Sequence, residues 1–100
     1  MTNDIKDAKE IISLCTIALR RHHIGPRDAR LLTNCADAHK IIAEIRTKQF
    51  KKGRTNLFRL PELGLMRDLL KQGQYSAAIM EARQIRSAIA PILKSVKRYK

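Results

Sequence analysis

Tryptophan is absent and only four aromatic side chains occur in 100 residues: Phe50, Phe58, Tyr75 and Tyr99. A platform that stacks successive unpaired bases needs several rings on one face, so an aromatic single-strand binder is not expected. Cysteine is limited to Cys15 and Cys35, separated by nineteen residues and without a CxxC companion. That spacing excludes a recognisable zinc or redox motif, and both thiols read as small apolar core residues. The four glycines are scattered rather than gathered into a phosphate-cradling loop, no serine sits in a nucleophile elbow, and no carboxylate pair stands out. His22 and His23 are adjacent, so on a helix they point about 100° apart and do not share a metal as an i, i+4 pair would. His39 is read as a surface group. No catalytic residue, metal, cofactor or small-molecule substrate is therefore expected. Long apolar runs are also missing: the longest, Ala88 to Leu93, holds six residues including Pro91, against about 20 for a bilayer span. The opening MTNDIKDAKE carries charge throughout and is not a secretory leader, so the expected location is the cytoplasm, away from membranes.

Acid is the scarcest charge. Nine Asp and Glu face 21 Lys and Arg, for a net charge of +12. The excess is uneven, with residues 1–45 holding seven basic groups against six acidic and residues 46–100 holding fourteen against three, or +1 and +11. Such asymmetry points to a polyanionic partner.

The apolar residues follow a helical period throughout, which predicts an all-α domain. Ile5, Ala8, Ile12, Cys15 and Leu19 mark a first helix over 4–24, widened by Ile11, Leu14 and Ala18 and stopped by Ile24-Gly25-Pro26, with glycine as the left-handed cap. Leu31, Cys35, Ala38, Ile42 and Ile45 mark a second helix over 26–52. The short connection makes the two an antiparallel hairpin, with Cys15 and Cys35 facing each other at one level. After a basic hinge at 53–60, a shorter helix over 61–72 contains Leu65, Met66, Leu69 and Leu70 and ends at Gly73. A last helix over 75–98 carries Ala78, Ala82, Ile85, Ile89, Ile92, Val96 and Tyr99, with a kink or fresh start near Pro91. The expected architecture is a small four-helix bundle, a hairpin plus a second, shorter helix-turn-helix. The stretch Leu70-Lys71-Gln72-Gly73-Gln74-Tyr75-Ser76-Ala77-Ala78 with Ala82 resembles the turn inside a tetratricopeptide unit, where glycine opens the turn, tyrosine packs back and alanine allows close approach. One 34-residue period earlier stand His39, Ile41 and Glu44, so the chain has no second copy.

The hinge region RTKQFKKGRTNLFRLPELGL is the expected contact surface. Leu57, Phe58, Arg59, Leu60 and Pro61 form a candidate partner-binding segment, an aromatic anchor beside arginine. Lys48, Lys51, Lys52 and Arg54, joined by Lys97 and Arg98 at the same end of the bundle, are candidates for phosphate or an acidic surface. Arg20, Arg21, Arg27 and Arg30 gather at the opposite end as a second basic pole. No recognition helix offers a base-reading set of side chains on one face. Two functions follow as expectations: a protein that binds and modulates a nucleic-acid-processing enzyme, or one that binds DNA or RNA directly without sequence preference. An assembly module is a third, and Leu60-Pro61, if exposed, would make a prolyl isomerase a further partner.

In length, in the basic hinge Lys51-Lys52-Gly53-Arg54 and in the basic end Lys97-Arg98-Tyr99-Lys100, the chain is similar to the small phage-encoded modulators of host nucleases of the anti-RecBCD type. That resemblance implies binding to the host recombination nuclease RecBCD in the host cytoplasm, blocking or redirecting it without cutting DNA.

Overall fold

The computed structural model describes residues 3–51 and 60–97, and every regular element among them is an α-helix. The elements are α1 (Asn3–Arg20), α2 (Pro26–Lys51), α3 (Gly64–Lys71) and α4 (Tyr75–Lys97). They form a small all-α four-helix bundle built from the two expected hairpins.

Helix α1 ends four residues earlier than its apolar period suggests, and Gly25 is not its cap. His22 takes the left-handed conformation, φ 59°, one that histidine adopts more readily than most residues. His22 N–H then reaches the Leu19 carbonyl at 3.1 Å and His23 N–H the Ala18 carbonyl at 2.9 Å, closing a Schellman turn. Gly25 instead starts α2, its carbonyl accepting from Ala29 N–H at 3.0 Å, with Pro26 in the first helical position. The same closure ends α3. There Gly73 at φ 77° sends its N–H to Leu70 O, and Gln74 N–H reaches Leu69 O. α4 continues through Pro91 without a fresh start. Pro91 is exposed, so the backbone bond it removes is lost on the water-facing side, where solvent can replace it.

Helix α1 packs on α2 and α3, and α4 packs on the same two, while the diagonal pairs α1–α4 and α2–α3 do not meet among the described residues. Ion pairs give the directions. Asp7 and Glu10 of α1 meet Arg67 and Lys71 of α3 in the same order, so α1 and α3 run parallel. Asp4 at the start of α1 pairs with Arg46 near the end of α2, as an antiparallel hairpin requires. The Tyr75 hydroxyl, at the start of α4, is hydrogen-bonded to His23 Nδ1 at 2.9 Å. The Cys35 thiol donates to the Ala82 carbonyl, Sγ to O 3.6 Å. α4 therefore starts beside the start of α2 and runs with it, so like-directed helices are neighbours in this bundle.

The core consists of Ala8, Ile11, Cys15 and Ala18 from α1, Leu32, Cys35, Ala36 and Ile42 from α2, Met66 and Leu70 from α3, and Ala78, Ala82, Ile85 and Ile89 from α4. The α2 stripe is rotated from the expected line, with Leu31, Ala38 and Ile45 half-buried at its margin. Its centre runs through Ala29, Leu32, Ala36, His39 and Ala43, all buried. His39, read from sequence as a surface group, is fully enclosed. Its Nε2–H donates to the Pro61 carbonyl at 2.6 Å, and its Nδ1 has no partner. A charged residue's neighbour on a polar helix gives no hint of this. Only the 29-32-36-39-43 spacing does.

Candidate functional site

Three acidic side chains of α1 reach across to a neighbouring helix, and a fourth pairs within α3. Asp4 meets Arg46 at 2.9 Å, Asp7 meets Arg67 at 2.6 Å, Asp68 meets the same guanidinium at 3.1 Å, and Glu10 meets Lys71 at 2.7 Å. Hydrogen bonds donated to Asp68 and then to Asp7 hold the Arg67 guanidinium even more firmly protonated than usual. The Lys71 ammonium lowers the Glu10 carboxyl below its ordinary range. Four of the nine acids are thus occupied within the bundle, and the other five face a large excess of Lys and Arg.

Between the first turns of α2 and the middle of α4, a groove of about 590 Å³ opens. Arg27 and Arg30 line one wall and Arg83 and Arg86 the other. All four are exposed, and none takes part in an ion pair among the described residues. Asp28 is the one acid in the lining, half-buried in the first turn of α2, where the helix dipole favours a carboxylate. Leu31 supplies an apolar strip, and Asn34 and Ser87 add uncharged hydrogen-bonding groups. The sequence spacing behind the site is simple. Each helix carries an Arg-x-x-Arg pair, and residues three apart share one helical face. α2 and α4 lie side by side because Ala82 is fully buried between them and adds almost no bulk.

Arg27 and Arg30 belong to the second basic pole expected from the sequence; Arg83 and Arg86 were not singled out. Finding them requires knowing that α4 is the parallel neighbour of α2, although the repeated Arg-x-x-Arg spacing was a usable signal. Of the hinge candidates, Lys48 is exposed near the end of α2. Lys51 and Lys97 are the last helical residues of α2 and α4, and their side chains lie outside the described part. Lys52, Arg54, Leu57, Phe58, Arg59 and Arg98 lie outside the described residues altogether. Leu60 is half-buried and packs against the core. Pro61, also half-buried and preceded by a trans bond, is tied through its carbonyl to His39. Both are engaged by the protein's own interior, which reduces what they offer to a partner or an isomerase.

The two cysteines do not carry chemistry of their own. They are free, and Cys35 points at α4 rather than across the hairpin, while Cys15 lies in a crevice with Ala29 and Thr33 of α2. Burial pushes both thiols up to about 11, and the thiolate is the reactive form. At pH 8 a disulfide reagent should label neither in the folded protein and both on unfolding. Rapid native labelling of either would contradict the burial. The raised values also set a direction for stability: their contribution is complete below the ordinary thiol value of 9.0 and is lost as pH rises toward about 11.

No group of three or more metal-ligating side chains occurs among the described residues, and no described helix is long and apolar enough to cross a membrane. No family model, curated protein or solved structure matches this chain, so its groove and its charge are what its function has to be read from.

Proposed function

We propose that this protein is a non-catalytic, basic helical module that binds nucleic acid through the sugar-phosphate backbone, without sequence preference. The observation that carries this reading is the set of four unpaired guanidiniums in one open groove, on a chain of net charge +12. Guanidinium is planar and meets phosphate through two parallel N–H···O bonds, and contacts to phosphate carry no base information. Fluorescence anisotropy with labelled random-sequence duplex and single strands tests it. Neutralising about five phosphates of a duplex gives a log–log salt slope of roughly −4 to −5, so raising salt from 50 to 200 mM weakens binding by about 500-fold. A flat response, or no binding to DNA or RNA, removes the reading.

A second reading, modulation of a nucleic-acid-processing enzyme such as RecBCD, is favoured by the hinge sequence, where Leu57 and Phe58 stand among basic residues. Affinity capture from a host lysate distinguishes it. A nuclease or helicase partner retained after all nucleic acid has been digested supports the modulator, and recovery of nucleic acid alone supports the direct binder.

A further inference from the structure

The geometry points to the α2–α4 groove as a seat for one phosphodiester strand rather than for a duplex, an assignment that rests on the nucleic-acid reading and gives it a location. The two arginine pairs stand on adjacent helices that run the same way. Within each pair the positions are about 4.5 Å apart along the axis, and neighbouring helix axes lie about 8–10 Å apart. The result is two pairs of guanidiniums, one on each wall of a single cleft. A volume of about 590 Å³ is of the size that holds a small organic ligand, which suits a nucleotide or two of an extended strand. A duplex, whose major groove alone is about 12 Å across, is too broad to enter between two adjacent helices. It could touch only the arginine tips.

Charge inside the cleft favours a phosphate. Four guanidiniums against the single carboxylate of Asp28 leave an excess of three positive charges within the lining. The half-buried Leu31 gives the sugar an apolar surface, and Asn34 and Ser87 can bond sugar or phosphate oxygens. No aromatic ring lines the groove, so base stacking contributes nothing, and oligo-dT, oligo-dA and oligo-dC of one length bind alike.

The test combines side-chain NMR with binding. Octameric oligo-dT, a duplex of equal length and inorganic tripolyphosphate are titrated separately into the full chain while the arginine Nε–Hε signals are followed. Expected is movement of the Arg27, Arg30, Arg83 and Arg86 signals with oligo-dT. In the double variant R83A/R86A the single-strand salt slope falls by about 1.4 and affinity at 0.15 M salt drops about tenfold. R27A/R30A repeats the loss from the other wall. All four residues are exposed, so thermal melting should stay within a few degrees, confirming that the fold is kept. If oligo-dT binds but both variants keep the full slope, the groove is overturned while nucleic-acid binding stands and moves to the hinge. If the duplex binds through the same arginines as tightly as the single strand, the single-strand assignment is overturned and the broader reading stands. Movement of the arginines with tripolyphosphate alone overturns both the strand and the nucleic-acid reading, and makes the groove a site for free polyphosphate. Silence with all three probes overturns everything claimed for it.

Discussion

His39→Ala lowers the unfolding free energy by about 3 kcal/mol and the melting temperature by roughly 15 °C. The imidazole fills the centre of the α2 stripe and is fully buried. Removing it leaves a cavity in the core and frees the Pro61 carbonyl, which ties the segment entering α3 to α2. A domain of this size has about 5 to 10 kcal/mol in total, so the loss is a large share. His39→Leu separates the two contributions. Leucine restores most of the volume and eliminates Nδ1, which is buried without a partner and whose desolvation costs about 1 to 3 kcal/mol. The lost hydrogen bond, worth about 1 kcal/mol, is thereby offset, and this variant should melt within a few degrees of the parent. Denaturant unfolding of both variants checks the pair. If His39→Ala melts like the parent, neither the packing nor the Pro61 tie contributes as described.

Ala82→Leu joins stability to binding. Ala82 is fully buried where α2 and α4 touch, and its carbonyl accepts the Cys35 thiol. Extra methylenes in a closed contact typically cost about 1 to 3 kcal/mol, here by forcing the two helices apart. That same movement separates Arg27 and Arg30 from Arg83 and Arg86, so single-strand affinity should fall by about tenfold, as though one wall had been deleted. Ala82→Gly is the control. It lowers stability by about 1 to 2 kcal/mol, through backbone entropy and the loss of one buried methyl, without pushing the helices apart, so binding should persist. Should Ala82→Leu retain both its melting point and its affinity, α2 and α4 are not in the close contact on which the groove depends.

Much of the bundle was legible in the sequence because its helices follow the 3.6-residue period and end at recognisable residues. The starts of α2 at Pro26 and α4 at Tyr75 fall where expected, and Gly73 closes α3 in the left-handed conformation that glycine there suggested. The misses have specific physical sources. α1 stops early because His22, not Gly25, takes positive φ, and no propensity favours histidine over a glycine three residues on. His39 reads as a surface group by residue type, and only its position in the 29-32-36-39-43 stripe places it inside. Pro91 reads as a breaker only if its missing bond is buried, and exposure cannot be judged from a dipeptide. The candidate site divides the same way. Each arginine pair lies within one helix and is visible locally, whereas their meeting depends on α2 and α4 being neighbours, which is fixed by tertiary packing.

Because α1 and α3 ascend while α2 and α4 descend, Asn3 and Lys97 both lie at the end of the bundle away from the arginine groove. The molecule measures 45 × 22 × 18 Å, so a fluorophore, surface tether or fused domain attached at Asn3 is held well away from the groove, whereas Lys97 follows Arg86 by eleven residues of one helix, about 16 Å. Immobilised by one extremity, the protein would present the opposite tip unobstructed, and two copies joined tail to tail would offer their clefts at opposite ends of a rod.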